Sequence, residues 1–195
     1  MHGLINRGIQ RFVTDSYGES TWLAVVARAE LGFSDFEAMM MYDDALTPRV
    51  LQAVCDVLER SFAETLEDLG TYLVSNRNLE ALRRLLRFGG VTFVEFINSL
   101  DDLPDRARLA VSDLVLPAIE ILEESPERYS LKIYGAFDGW GHLFVGVLRA
   151  MADDYGVLAF LEHRGREGSC EVIEVTLLET EFAVGRGFQL GVRSA

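Results

Sequence analysis

The chain is expected to fold as an α+β unit, an N-terminal helical lobe followed by an antiparallel sheet with helices packed on it. Three observations predict this. In the first half, apolar residues recur at three- and four-residue spacing between capping signals. In the second half the pattern changes to short apolar stretches, and Glu171 to Leu178 alternates charged or polar with apolar side chains. No Pro/Gly/Ser-rich linker, low-complexity run or internal repeat separates the halves, so the 195 residues are expected to form one domain over 1–195. Within it, about 1–62 forms a helical subdomain and about 63–195 an α+β subdomain.

The elements follow in order. Ile5, Ile9, Phe12 and Val13 share one helix face, and Tyr17-Gly18 closes that helix. A second helix is expected from about Ser20 to Leu31. Thr47-Pro48 predicts a helix start, with a hydroxyl cap and a proline at the first helical position, and Val50, Leu51, Val54, Val57 and Leu58 lie on one side. Ser61 with Glu64 forms a capping-box pattern ahead of Leu66, Leu69 and Leu73. Asn78 to Phe88 reads as a short basic helix ended by Gly89-Gly90. Its Arg83, Arg84 and Arg87 are expected on a solvated face, or as a docking patch for an acidic partner.

Thr92 with Glu95 opens the next helix, which Pro104 interrupts within Phe96 to Leu109, FINSLDDLPDRARL. Strands are expected at Ala118 to Leu122, Tyr129 to Tyr134, Val157 to Leu161 and Glu171 to Leu178, with a last short one near Phe188 to Leu190. Between them Gly141 to Tyr155 reads as a helix carrying Leu143, Val147, Leu148 and Met151, broken by Gly156.

Composition bounds the function. Apolar residues make up 49% and charged residues 25%, which is the composition of a chain with a substantial core; its 12 Phe can line an apolar pocket as well as fill one. The net charge of −13 argues against nucleic acid or an anionic membrane as partner, since phosphate neutralisation needs a Lys/Arg surface. Met1 to Gln10 lacks the long apolar stretch and cleavage site of a signal peptide, and no stretch approaches the roughly 18 apolar residues of a membrane span. Cys55 and Cys170 match no metal or redox spacing and are expected as reduced, buried thiols in a cytoplasmic protein. There is no G-x-S-x-G, no P-loop and no G-x-G-x-x-G following a strand, so catalysis is not expected. The pairs Asp43-Asp44, Asp101-Asp102 and Asp153-Asp154 are expected as caps and solvated faces, because adjacent carboxylates on a helix point apart.

Several stretches together resemble the heme-nitric oxide/oxygen-binding (H-NOX) family over nearly the whole chain. MHGLINRGIQRFVTDSYG resembles the family's opening, and WLAVVARAEL follows in its manner. Leu69-Gly70-Thr71-Tyr72 resembles its G-x-[aromatic] pattern on a central helix, and Gly89-Gly90 precedes its proximal helix. HLFVGVLRAMADDYG resembles the segment after its propionate-binding motif. Phe96, Ile97, Ser99, Leu100, Asp101 and Leu103 follow a family run, F-L-x-N-L-D-x-L-H, that ends in the iron-ligating histidine; here Pro104 stands in that place. Proline offers no side-chain donor to iron.

The resemblance implies an H-NOX-like fold and a gas-sensor role in signal transduction, in a bacterial, cytoplasmic setting, with heme b as the family's cofactor. The family's Y-x-S-x-R motif holds the heme carboxylates with a guanidinium fork and hydroxyls. The corresponding stretch here is Ile133-Tyr134-Gly135-Ala136-Phe137, in which none of the three polar positions survives and Tyr134 is one position off. Both anchors of the cofactor are therefore expected to be missing, and heme binding by the histidine mode to be weak or absent. By resemblance, Pro117 matches a proline that presses on heme, and Leu143 stands where oxygen-binding members carry a tyrosine, so any bound heme would favour nitric oxide or carbon monoxide over oxygen. The residues expected around the pocket are Ile5, Leu73, Leu100, Leu103, Pro104, Pro117, Ile133, Gly135, Phe137, His142 and Leu143.

His142, His163 and His2 are the candidate replacement ligands. His142 opens a helix near the expected pocket, His163 is read as a solvated turn residue, and His2 lies in a segment that does not reach iron from the proximal side; no two share metal-ligand spacing, so no metal site is expected. Pro104 can also simply begin a new helix with Asp101 or Asp102 as its cap. The implied partner is a signalling protein in trans, such as a cyclase, a diguanylate cyclase/phosphodiesterase or a histidine kinase. The alternatives are a module that reuses the pocket for another apolar ligand, such as a lipid or another tetrapyrrole, and a protein-interaction domain whose pocket is filled by Phe137, Trp140 and Leu143.

Overall fold

The computed structural model describes residues 1–135 and 137–187. The helical lobe begins with α1 (Gly3–Tyr17), α2 (Glu19–Arg28) and α3 (Leu46–Leu58). His2 caps α1, its Nδ1 accepting from the Leu4 amide at 3.1 Å, and Gly18 ends it with φ at +92°, a conformation that favours glycine. Thr47 is not a cap: α3 starts one residue earlier, and the Thr47 hydroxyl donates to Asn6 Oδ1 at 2.6 Å, joining α3 to α1 through a buried polar pair. That pair supplies a hydrogen bond at a buried position, where an unmet hydroxyl is costly.

Ser61 and Glu64 form the expected reciprocal capping box at the start of α4 (Phe62–Ser75). A 3₁₀ turn (Arg77–Leu79) leads into α5 (Glu80–Arg87). Arg83 and Arg87 of α5 correct the expectation of a solvated face, while Arg84 keeps to it beside Glu80. Arg83 is only 7% exposed, and its Nε donates to Asp154 Oδ1 at 2.8 Å; Nη2 also approaches that oxygen at 2.7 Å, outside hydrogen-bond geometry. Arg87 stands 3.7 Å from the same carboxylate and lies over the Tyr155 ring at 3.8 Å. Asp154 therefore draws the basic helix inward. Only a paired carboxylate makes such burial tolerable.

Thr92 and Glu95 cap α6 (Phe93–Asn98) as predicted. The chain then turns, and α7 (Leu103–Ala110) starts with Pro104 in its first turn, so the run around Pro104 is two short helices. Pro104 has no N–H to donate to the Leu100 carbonyl, and the Leu103 amide takes that carbonyl instead at 3.2 Å. Asp102 occupies the cap position without a side-chain bond to the helix. Arg106 ties the halves together, its Nη2 donating to the Ser99 carbonyl at 2.7 Å.

The sheet comprises β1 (Ala118–Ser125), β2 (Arg128–Tyr134), β3 (Leu158–Glu167) and β4 (Cys170–Glu179) in the order β1-β2-β4-β3, every pair antiparallel. β3 runs beyond the expected Leu161, and the segment near Phe188 to Leu190 lies outside the described residues. Leu131 pairs with Ile121 on one side and Ile173 on the other, so alternate residues form one apolar face. The long helix α8 (Trp140–Tyr155), stopped by Gly156 at φ +75°, covers that face. α8 also crosses α4 with backbones nearly touching. A Cβ on Gly70 would strike the Leu143 carbonyl, and one on Gly146 would strike the Glu67 carbonyl. Two apolar clusters result, one among α1 to α3 and the inner side of α4, the other among α5 to α8 and the sheet, with Phe137 and Leu143 packed against both. Among the described residues no helix is long and apolar enough to cross a membrane.

Candidate functional site

Where the two clusters meet, the core does not close. A cavity of about 210 Å³ remains between the helical lobe and α8. Leu4, Ile5, Gly8 and Ile9 of α1, Thr47 and Leu51 of α3, and Leu66, Leu69 and Leu73 of α4 form one side. Leu82, Leu85 and Leu86 of α5, Leu103 and Ala107 of α7, and Leu114 and Leu116 form the floor. Phe137 with Trp140, Leu143, Phe144 and Val147 of α8 completes it. These α8 positions follow i, i+3, i+4, i+7, the spacing of one helix stripe, as do 66, 69 and 73 of α4. Among the described lining residues Thr47 carries the one hydroxyl, and there is no His, Cys, Met, Tyr, Asp, Glu, Lys or Arg.

An outer groove of about 670 Å³ shares Leu116, Phe137 and Trp140 with the cavity as a common wall. Pro117, Tyr134 and Gly135 line it, together with Met1, His2, Met41 and the carboxylates of Asp44, Asp113 and Asp138. No Lys or Arg is among its described lining residues. The Met1 ammonium meets Asp44, and Arg166 meets Asp138 from β3. The Tyr134 hydroxyl donates to Glu120 at 2.9 Å, which pushes its pKa up to about 12 through that bond and burial. Gly135 lets the Trp140 indole lie against the chain, since a Cβ there would overlap the ring.

Of the residues singled out by sequence, Ile5, Leu73, Leu103, Phe137 and Leu143 come together on the cavity, and Pro117 and Gly135, with Phe137 again, on the groove. Leu100, Pro104, Ile133 and His142 do not line either space. Leu100 and Ile133 are buried in the sheet-side cluster, Ile133 because it lies on the inner face of β2 that packs under α8. Pro104 is buried beside Leu103, which turns its own side chain to the cavity instead. His142 lies about 150° around α8 from the cavity stripe, at 100° per residue. It packs on His163 with ring centres 4.1 Å apart, and its Nδ1 is 3.4 Å from Glu67 Oε1. His163 is not a solvated turn residue. Its Nε2 is 3.1 Å from Glu171 Oε2, while Glu171 Oε1 accepts from the Gly139 amide at 2.9 Å. Burial and the adjacent His142 ring push the His163 imidazole below its usual pKa.

His2, set aside in the sequence reading, is the histidine at the groove, 3% exposed, with Nδ1 committed to capping α1. No group of three or more His, Cys, Asp or Glu among the described residues could hold a metal ion. Trp140 lines the cavity, as the reading of a pocket filled by Phe137, Trp140 and Leu143 expects, while Phe144, Val147, Leu66 and Leu69 are cavity residues that the sequence marks as core or does not single out. Helical spacing marks them as inward-facing, but nothing in a periodicity says whether the opposing walls meet.

A family profile described as Haem-NO-binding matches residues 2–160. Among curated proteins, the chain is 26% identical over 154 residues to soluble guanylate cyclase gcy-31 of Caenorhabditis elegans, which covers 79% of this chain and 22% of that protein. It is 19% identical over 155 residues to soluble guanylate cyclase 89Db of Drosophila melanogaster, covering 80% of this chain and 23% of that one. The chain thus spans under a quarter of the length of these relatives. Among solved structures, the Fe(II) unliganded H-NOX protein from K. algicida superposes with a TM-score of 0.79 at 15% identity, covering 92% of this chain and 97% of that one. An oxygen-binding H-NOX domain related to soluble guanylate cyclases superposes at 0.71 and 13% identity, covering 96% and 100%.

Proposed function

The chain belongs to the haem-NO-binding family, and from that premise we propose that it is a signal-transduction sensor domain whose heme site has degenerated, binding heme weakly or not at all. The observation that carries this is the character of the cavity wall. By resemblance Pro104, buried beside the wall, stands where the family has its iron ligand, and no described residue of the wall itself is a His, Cys, Met, Tyr, Asp or Glu that could take its place. The groove repeats the pattern at the other end of the site. A dicarboxylate needs free cations and hydroxyls at its mouth, whereas no Lys or Arg is among the described residues lining this one, and its Met1 ammonium and Tyr134 hydroxyl are already engaged by Asp44 and Glu120. The bulk of Phe137, Trp140 and Leu143 on the wall further supports a site unsuited to a macrocycle. The residues present do not fit heme. Were heme nonetheless held, Leu143 offers no donor to bound oxygen, which favours nitric oxide.

The family context supports a role as the receiving part of a signalling system, acting on a cyclase, a diguanylate cyclase/phosphodiesterase or a histidine kinase in the cytoplasm. Such a role requires two conformations that a ligand binds unequally. Hemin titration of the purified protein tests the proposal. We expect only a weak, non-saturating Soret change. A sharp one-to-one endpoint, reduced to a five-coordinate ferrous species that takes up nitric oxide, would sink it.

A further inference from the structure

The cavity is too well walled to be read as a packing fault. It is bounded by aliphatic side chains from six helices, together with the rings of Phe137, Trp140 and Phe144. Phe137 and Trp140 meet edge to face at 5.8 Å, and Trp140 tilts against Phe144 at 6.5 Å. Phe137 and Trp140 are at the wall shared with the outer groove. An apolar cavity of about 150 Å³ holds a benzene-sized molecule, so scaling to this cavity of about 210 Å³ leaves room for about eight or nine heavy atoms.

Charge is excluded from such an occupant. Among the described residues no ionised side chain lines the cavity to pair with it, and burying an unpaired charge is prohibitive. One polar point remains. The Thr47 hydroxyl spends its proton on Asn6 Oδ1, which leaves a buried oxygen lone pair on the wall. That oxygen can accept from a single N–H or O–H.

We propose that this cavity is a receptor site for a small neutral aromatic molecule of about eight or nine heavy atoms bearing one N–H or O–H donor, reached past Phe137 and Trp140 from the groove. The ring stacks among Phe137, Trp140 and Phe144, and the donor points to Thr47. The groove adds no Lys or Arg among its described lining residues to draw an anion in, and its Asp113 carboxylate opposes one. This rests on the heme-free reading of the same site, because a bound macrocycle would occupy the space.

Indole is the probe, with indole-3-acetate as the anionic counterpart and hemin in a separate titration. Methyl-labelled NMR spectra of the wild-type protein are expected to shift at Leu69, Leu73, Leu143 and Val147 on adding indole, with a rise in thermal midpoint as for any ligand that binds only the folded state. Indole-3-acetate is expected to bind at least about tenfold more weakly. A folded Leu143→Phe variant is expected to lose the indole shifts. Absence of shifts at the cavity methyls under saturating indole, or shifts elsewhere only, overturns the proposal without need of any variant. The hemin arm separates the two readings. If neither hemin nor indole binds, the receptor site fails and the heme-free reading stands; stoichiometric hemin binding overturns both.

Discussion

Removing the Asp154 carboxylate leaves Arg83 buried without its counter-charge. Asp154 is 2% exposed and is approached by Arg83, Arg87 and, at 3.9 Å, Arg186. Breaking a buried pair by deleting one partner costs roughly 3–5 kcal/mol, so we expect Asp154→Asn to lower unfolding stability by an amount in that range, read from urea denaturation. No sequence signal revealed this. Asp153-Asp154 looked like two solvated carboxylates, and only the packing of α5 on the end of α8 decides which one turns inward.

His163 offers a second test. Its folded-state pKa lies below the usual value, first through burial and then through His142, with Glu171 and Glu67 acting in the opposite direction. The unfolded chain therefore takes up the proton first as pH falls. Stability from this group is complete above about pH 6.5 and is lost as pH drops from there toward the lower folded pKa. A thermal melt series between pH 7.5 and 5 is expected to show this loss. His163→Gln, whose amide can still donate to Glu171, is expected to flatten it. The exposed carboxylates with lowered pKa, such as Glu64 and Glu95, act only in a more acidic range.

At the scale of elements, the break between α6 and α7 is a feature on which the proposed loss of heme binding rests. Proline was visible in the sequence, and so were the caps at Ser61 and Thr92, because local hydrogen-bond chemistry acts within a few residues. What the proline does to its neighbours was less visible. It divides the helix, buries itself in the first turn of α7 and leaves Leu103 and Ala107 to face the cavity. On the proposed reading, placing the family's histidine at position 104 does not by itself create a heme site. We expect Pro104→His to remain without stoichiometric heme in a hemin titration, because the cavity and the acidic groove are unchanged. A five-coordinate ferrous heme in that variant would show that one side chain alone had been lost.

At the scale of the whole molecule, the α+β order of helices and strands was legible from periodicity, since amphipathic helices and alternating strands declare their inner faces. The site was legible only in part. Ile5, Leu73, Leu103, Phe137 and Leu143, named by resemblance, line the cavity, while Ile133 and His142 face away from it. The displacement of His142 is a question of two helix positions, and that of Ile133 a question of strand parity; both are set by packing across the sheet and between α4 and α8. The volume of the cavity could not be read at all, because it depends on how far opposing walls stop short of each other. The groove also brings forward His2, which the order of residues along the chain gave no reason to favour.

The most direct test is the heme content of protein purified from heme-supplemented cells, read by a pyridine hemochrome assay with the absorption spectrum. We expect a nearly colourless protein with heme far below one per chain. A strong Soret band at one heme per chain would contradict a degenerate site and would direct the search for the iron ligand to His2.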